Sequence, residues 1–345
     1  MPTIADVAKA CGLSKSTVSL VINNSPLKVS SETRARVMRV VREMNYQPSA
    51  AAQSLSRQRS NMIGIVTVRR AHLLGDPYFG TLIDSILDCA SEMDQTVALY
   101  NGRIWKDETK TRTVFSDGRC DGLLLVMAYH DVDLTTALQS ARIPFVVING
   151  SVASENVNSI DIDNVEAGYK MTRYLLDLGH RRVACLRTHD PYSVERLAGY
   201  KKALSEAGVA FDERLDIVGN YTPDSGGYVR AQQLASRPEI GVTAVFCATD
   251  GLAVDAIAGF KDAGLRVPDD ISIVGINDTP DAARCNPPLS TLQQSVESIG
   301  AEALRRLMTL IRQPDQEPRQ MICPTLLVER RSAAPLPAAT NAPRT

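Results

Sequence analysis

Between residues 4 and 44 apolar side chains recur at three- and four-residue spacing in three short runs: Ile4, Val7 and Ala8, then Val18, Val21 and Ile22, then Val37, Val40, Val41 and Met44. That is the period of helices with one buried face. Thr3 with Asp6 three residues on supplies a hydroxyl cap and an acid for the first turn, and Gly12 stops the pattern. Ser14 caps a second helix from Lys15 to about Asn23, and Ser30 caps a third. Two short helices around Cys11-Gly12-Leu13, with Leu13 filling the angle, have the form of a helix-turn-helix. The second helix turns Lys15, Ser16, Thr17 and Ser19 outward, a donor-rich face of little bulk that suits a major groove. The plainer reading is a helical cap whose arginines are a solvated face.

After Asn61 the pattern changes to short apolar runs alternating with helical stretches. Strands are predicted at Ile63 to Val68, Val97 to Tyr100, Leu123 to Met127, Phe145 to Ile148, Val183 to Leu186, Ile217 to Gly219, Ala244 to Cys247 and Ile271 to Ile276. Helices are predicted at Tyr78 to Met93, Val165 to Leu178, Val194 to Ala207, Asp250 to Ala263 and Val296 to Ile311. Continuous β-branched runs mark strands buried on both faces, hence a parallel α/β body. The rhythm restarts near residue 162, so two similar halves are expected, with the last long helix returning to the first half and Cys323 to Val328 to the second. Ligands bind such folds in the cleft at the carboxyl ends of the strands.

Composition places these elements in a soluble chain of 345 residues, 44% hydrophobic and 22% charged. A formal net charge of −1 hides an asymmetry. Residues 1–60 hold nine Lys and Arg against three acids, a net +6, which leaves 29 basic and 36 acidic residues, a net −7, in the rest. A cationic head concentrates beside a polyanion, either nucleic acid or an acidic membrane surface. Seven scattered cysteines without C-x-x-C spacing read as small buried hydrophobes and fit a reducing compartment. The N-terminus lacks the order of a signal peptide and no apolar run reaches the ~18 residues of a membrane span. A cytoplasmic protein without membrane attachment is expected.

Thr3-Ile4-x-Asp6-Val7-Ala8-x-x-x-Gly12-Leu13-Ser14-x-x-Thr17-Val18-Ser19-x-Val21-Ile22-Asn23, followed by Val29-Ser30-x-x-Thr33-Arg34 and Asn45-Tyr46-x-Pro48, resembles the head of the lactose-repressor (LacI/GalR) family, and the likeness runs from about residue 3 to 331. It implies an α/β protein with a three-helix helix-turn-helix head over 1–48, a hinge helix over 49–60, and a periplasmic-binding-protein type I body over 61–331. The body has two parallel-sheet subdomains, 61–161 with 293–320 and 162–292 with 321–331, and 332–345 is expected as a disordered tail. By the same resemblance Lys15, Ser16 and Leu20 read bases, while Thr3, Ser14, Thr17, Ser19, Asn23, Ser30, Thr33 and Tyr46 mostly grip phosphates, which fix register without carrying sequence information. Leu20 departs from the polar residue common there and can touch only a thymine methyl or nothing.

Ser49 to Arg57 contains three consecutive alanines, enough to favour helix but too short to be stable alone. Its residues alone fit a plain linker as well as a helix that orders on binding. The resemblance implies a paired hinge helix in the minor groove, with Leu55 wedging a base step beside Ala52 and Gln53.

In the body the resemblance places Tyr78 and Phe79, in the loop Asp76-Pro77-Tyr78-Phe79, against an effector, together with Arg196, Tyr221, Thr249, Asp250 and Gln294. Arg196 can fork onto vicinal hydroxyls or a carboxylate, or cap a helix turn. Asp250 is either a polar contact or a helix cap. Asn149 and Asn277 stand where Asp is frequent, which makes the cleft less anionic.

Competing functions leave less of the sequence explained. Asp224-Ser225-Gly226-Gly227 is similar to a serine-protease nucleophile segment, but that chemistry needs a positioned His and Asp. The four histidines show no metal spacing, His180 marks a helix end, and no glycine-rich phosphate cradle is present. No catalytic residue, cofactor or metal is therefore expected. An exported solute-binding protein would not need the cationic head. The expectation is a transcriptional regulator, a repressor, that binds a palindromic double-stranded DNA operator as a homodimer and answers to a sugar-like metabolite. The tail after Arg331 has no leucine heptad, so a dimer is favoured over a tetramer.

Overall fold

The computed structural model describes residues 2–23, 29–47, 59–67, 76–101, 115, 117–127, 132–150, 156–222 and 226–336. It divides into two compact units, one built on the first 61 residues and one on the remainder.

The first unit holds α1 (Ile4–Cys11), α2 (Lys15–Ile22) and α3 (Ser31–Glu43). Thr3 and Asp6 form a reciprocal capping box, the Asp6 carboxylate accepting from the Thr3 backbone N–H at 2.8 Å and from its hydroxyl at 2.7 Å. These bonds hold the Asp6 carboxyl below its usual range. Gly12 ends α1 with φ +62°, a left-handed turn that a Cβ would strain. Val7, Ala8, Cys11, Val18, Val21, Val37 and Val40 are buried together, with Leu13 and Tyr46 packed against them.

The second unit contains two six-stranded sheets. The first runs β11-β5-β4-β3-β1-β2, from β1 (Met62–Thr67), β2 (Thr96–Asn101), β3 (Gly122–Val126), β4 (Phe145–Ile148), β5 (Ser159–Ile162) and β11 (Gln320–Cys323), all parallel. The second runs β12-β10-β9-β8-β6-β7, from β6 (Val183–Arg187), β7 (Asp216–Val218), β8 (Ala244–Cys247), β9 (Ser272–Asn277), β10 (Ser290–Gln294) and β12 (Thr325–Val328), parallel except for the β10–β12 pair. Helices α4 (Pro77–Glu92), α5 (Val132–Ser140), α6 (Asn164–Asp177), α7 (Pro191–Glu206), α8 (Gly227–Ala235), α9 (Asp250–Asp262), α10 (Pro280–Arg284) and α11 (Val296–Arg312) connect the strands. One apolar cluster joins Ile63, Leu124 and Ile148 of the first sheet with Phe246 and Ile276 of the second.

The apolar runs are strands, within a residue or so of their predicted limits; Val68 lies outside the described residues. Three strands the pattern did not announce are β5, β10 and β11; the sequences of the first two, Ser-Ile-Asp-Ile and Ser-Thr-Leu-Gln-Gln, carry polar residues in sheet interiors. The chain changes sheet between β5 and α6, between β10 and α11, and between β11 and β12. Residues 321–323 pair within the first sheet and 293–294 within the second, two to three residues from the limits read in the sequence.

The expected disordered tail is corrected for residues 332–336, which are ordered; 337–345 lie outside the described residues. Ser332 is fully buried, its hydroxyl accepting from Ser290 N at 2.8 Å and donating to Ile273 O, and Ile273 N donates to Ser332 O at 2.7 Å. Ala334 N donates to Ser272 Oγ at 3.1 Å and Leu336 N to Leu178 O at 2.8 Å. Composition alone could not show this, because the segment is held by its backbone groups and the Ser332 hydroxyl rather than by an apolar pattern. His180 does follow a helix end, and its buried ring also lies between Thr243 Oγ1 (3.0 Å) and Ala334 O (3.1 Å). Burial holds its pKa below the usual value.

Glycines fix the approach of α6 to α7. A Cβ on Gly168 would overlap the Arg196 carbonyl oxygen, and one on Gly199 the Val165 carbonyl oxygen. Contact this close sets where Asn164 and Arg196 stand relative to each other. Gly168→Ala is expected to lower stability by about 2–3 kcal/mol through overpacking, read as a fall in Tm; an unchanged melt would show that the helices can separate freely.

Candidate functional site

In the first unit, Lys15 and Ser16 are exposed at the start of α2, whereas Thr17, Ser19, Leu20 and Asn23 are half-buried. Ser14 caps this helix by accepting from Thr17 N at 3.1 Å, and its hydroxyl also meets those of Ser16 (2.7 Å) and Thr17 (2.8 Å). Three hydroxyls thus crowd one helix N-terminus, a position that favours phosphate oxygens. Asn23 Nδ2 donates to Ser19 Oγ at 3.1 Å. Thr3 and Ser30 are exposed caps of α1 and α3, and Thr33 Oγ1 accepts from Ser30 Oγ at 2.9 Å. Tyr46 is half-buried against the head's core, so packing already occupies part of its ring. Ala52, Gln53 and Leu55 lie outside the described residues.

In the second unit, a cavity opens at the carboxyl ends of both sheets. On the first sheet's side, Asp76 caps α4 by accepting from Tyr78 N at 2.9 Å, and Pro77 starts that helix, which aims Tyr78 and Phe79 into the cavity. Met127 and Asn149, the residues just after β3 and β4, line it with left-handed backbones of φ +53° and +50°. Asp161 enters from β5. From the second sheet come Asn164, Tyr192, Arg196, Tyr221, Thr249, Asn277 and Gln294. Asn277 ends β9 at φ +136°, so three lining residues that are not glycine hold uncommon backbones.

Eight of the nine residues named from the sequence therefore share this cavity: Tyr78, Phe79, Asn149, Arg196, Tyr221, Thr249, Asn277 and Gln294. Asp250 does not line it. Its fully buried carboxylate accepts from Thr279 N at 2.8 Å, Thr279 Oγ1 at 3.4 Å and Thr291 Oγ1 at 2.6 Å, which ties the start of α9 to the turn after β9 and to the start of β10. The helix cap is instead Thr249, which accepts from Leu252 N at 3.4 Å. A motif position cannot say which way a side chain turns at a strand-to-helix corner. Sequence reasoning also missed Asp76, Met127, Asp161, Asn164 and Tyr192 as lining residues. Asp161 had a visible signal, an acid between two isoleucines.

Arg196 is 4% exposed. Its Nε donates to Asn164 Oδ1 at 3.0 Å, one terminal nitrogen donates to the Ala248 carbonyl, and its charge lies 5.0 Å from the Tyr192 ring centre. Tyr221 donates to Tyr192 at 2.6 Å, and Tyr192 to Asp190 at 3.1 Å. Burial pushes the Tyr221 hydroxyl well above its usual pKa, although its ring is 44% exposed. Asn149 Nδ2 donates to the Tyr78 hydroxyl, which donates to Gln294 Oε1 at 3.4 Å, and Gln294 Nε2 donates to Asn277 Oδ1 at 2.8 Å. Asn149 Oδ1 is buried and has no partner among the described residues. Desolvation raises Asp161 to about 7 and Asp250 to about 6, each partly offset by the hydrogen bonds it accepts. No metal-binding group of His, Cys, Asp and Glu occurs among the described residues.

The raised Asp250 pKa favours the folded state when the group is protonated. That contribution is complete below the ordinary carboxylate value of 3.8 and is lost as pH rises through about 6. Thr291→Val removes a donor that matters most to the charged form. It is expected to cost about 1.5–3 kcal/mol at pH 8 and clearly less at pH 5, measured as the difference in denaturant midpoint; equal losses at both pH values would refute the assignment.

The geometry is that of a two-lobed ligand receptor, and the same chain contains a helix-turn-helix head. Residues 3–49 match the bacterial regulatory proteins of the lacI family, and residues 172–333 match the periplasmic binding protein-like domain. The HTH-type transcriptional regulator DegA of Bacillus subtilis (strain 168) is 35% identical over 340 residues, 97% of this chain and 98% of that one. The HTH-type transcriptional repressor PurR of Vibrio atlanticus (strain LGP32) is 33% identical, covering 96% and 98%. Among solved structures, the complex of the transcriptional regulator CelR with cellobiose aligns with a TM-score of 0.73 at 32% identity over 96% of this chain and 100% of that one. The lac repressor dimer bound to operator and the anti-inducer ONPF aligns with a TM-score of 0.81 at 26% identity over 96% and 99%.

The chain belongs to the LacI family of bacterial regulatory proteins. It is a DNA-binding transcriptional regulator with an effector-binding body. No helix among the described residues is long and apolar enough to cross a membrane.

Proposed function

We propose that this regulator is a cytoplasmic repressor that binds a palindromic operator as a homodimer and is controlled by a sugar-like metabolite in the cleft between its two sheets. The observation that carries the effector reading is convergence. Residues from 76 to 294 in sequence meet in one cavity, and there, among the described residues, a buried guanidinium is only partly hydrogen-bonded and a buried amide oxygen has no partner. Buried polar groups left so are met by a ligand or by water. CelR with cellobiose and the lac repressor with ONPF are relatives that hold small molecules.

In this reading Arg196 grips the effector, the rings of Tyr78, Phe79 and Tyr221 stack on it, and Asn149, Thr249, Asn277 and Gln294 orient it. Lys15, Ser16 and Leu20 face base edges in the major groove. Thr3, Ser14, Thr17, Ser19, Asn23, Ser30, Thr33 and Tyr46 hold phosphates, and Ala52, Gln53 and Leu55 enter the minor groove. The +6 charge of the first 60 residues supplies the salt-dependent part of the affinity.

The test is retention of the chain's own promoter region in a mobility-shift titration, with and without candidate metabolites. Arg196→Met is expected to keep operator affinity and to weaken the metabolite response at least tenfold; an unaltered response would place the effector elsewhere. Lys15→Ala is expected to change the preferred operator base at about 1–3 kcal/mol. A uniform loss across all operators would make Lys15 a phosphate contact.

A further inference from the structure

The two exchanges of Asp for Asn, at 149 and 277, make the cleft less anionic, yet the structure places a carboxyl there from a strand that the apolar pattern did not announce. Asp161, the third residue of β5, opens into the cavity beside Asn149 and Asn164. One of its oxygens accepts from Ile162 N at 2.7 Å. Arg196 faces the same cavity from the other lobe and lowers the energy of the Asp161 carboxylate through space. Among the described residues no ion pair within 4.0 Å joins the two. The second terminal nitrogen of Arg196 has no hydrogen bond among the described residues. Among the described residues the site thus presents a positively charged donor with a hydrogen bond to give, a carboxyl, and the unpaired acceptor Asn149 Oδ1.

That inventory constrains the ligand. A carboxylate or phosphate would satisfy Arg196 but would be repelled by Asp161 and would bring no proton to Asn149 Oδ1. A protonated amine would satisfy the acceptors but would be repelled by buried Arg196. A pair of adjacent hydroxyls donates and accepts at once without net charge. We propose that Asp161 is a specificity-determining residue of this cleft: with Arg196 it selects an uncharged polyhydroxylated ligand, whose hydroxyls donate to Asp161 and Asn149 and accept from Arg196, and it discriminates against the sugar acid and the sugar phosphate. The proposal rests on the effector reading of the cleft given above.

The protonation of Asp161 makes the selection measurable. The charged and titratable groups around it are Arg196 and Glu195 from α7, Tyr78 from the start of α4 with Asp76 behind it, and Cys323 from β11. Of these, Arg196 favours the carboxylate and Glu195 opposes it, while withdrawal from water outweighs both and raises the group to about 7. A ligand that donates hydroxyls binds the charged form better, so binding releases a proton and strengthens as pH rises through 7. An anionic ligand binds the protonated form better and weakens over the same range.

The experiment uses the full-length chain. Pentoses, hexoses and disaccharides are screened by thermal shift, each as free sugar, uronic acid, 2-amino sugar and phosphate ester. The binder is then titrated calorimetrically at pH 6 and pH 8 against the parent, Asp161→Asn and Arg196→Met, with operator binding by each variant confirming that it is folded. The tightest binder is expected to be a free sugar whose Kd falls up to about tenfold from pH 6 to pH 8, the limit for a group that titrates near 7. In Asp161→Asn the affinity at pH 8 is expected to drop about tenfold and its pH dependence to vanish. A tightest binder that is an acid, an amine or a phosphate overturns the proposal, as does Asp161→Asn binding like the parent at both pH values. If Arg196→Met loses binding while Asp161→Asn does not, only the role of Asp161 falls. If both variants bind like the parent, the cleft reading falls with it.

Discussion

A guanidinium that is almost wholly withdrawn from water has to be met by acceptors, and the body is organised around meeting the one on Arg196. Its partners come from two places: the Asn164 side chain at the start of α6 and the Ala248 carbonyl after β8. Neither is a charge, so the ion is stabilised by oriented dipoles and by the Tyr192 ring rather than by a salt bridge. Such an arrangement works only if α6 and α7 lie close, and Gly168 and Gly199 are what allow that approach. Helix packing, backbone permissiveness and ligand chemistry thus meet at one residue.

A second constraint lies in the backbone at the strand ends. Met127, Asn149 and Asn277 take positive φ values where their strands give way to the cleft. Side chains beyond a regular strand would continue its alternation and point into the packed faces; the irregular turn redirects them to the cavity. Two of the three are Asn, the residue type besides glycine that adopts such conformations most readily. The hydrogen-bonded chain Asn149, Tyr78, Gln294 and Asn277 then runs from one sheet's side of the cleft to the other's. Asn149 Oδ1 is buried and has no partner among the described residues.

How much of this was legible in the sequence depended on whether one residue's neighbours are local or distant. The head's helices follow from spacing and caps that operate within four residues, and Thr3, Ser14 and Ser30 cap as read. The continuous apolar strands β3, β4 and β8 announce their two buried faces. What failed to show was whatever depends on partners far along the chain. β5 and β10 look too polar until Ser290 is seen bonded to Ser332 and Arg330, and Thr291 to Asp250. Asp250 sits at a motif position, but its direction is set by Thr279 and Thr291, roughly 30 and 40 residues away. Asp161 was overlooked because a lone acid between two isoleucines carries no motif, only the anomaly of a charge in a strand. The Ala- and Pro-rich tail appeared structureless because hydrogen bonds to the first residues of β9 and β10 leave no mark on composition.

The three sheet-to-sheet passages, at 162–164, 294–296 and 323–325, lie in a polypeptide that threads each lobe more than once. Were there a single tether, the lobes could twist, shear and splay independently. With three tethers of only a few residues each, chain connectivity restricts twist and shear, and the motion it leaves easiest is a concerted bend in which every tether flexes together. A small molecule seated among residues of both lobes therefore need not push any one part toward a target. By stabilising one value of a single angle, it sets the posture of the entire receptor.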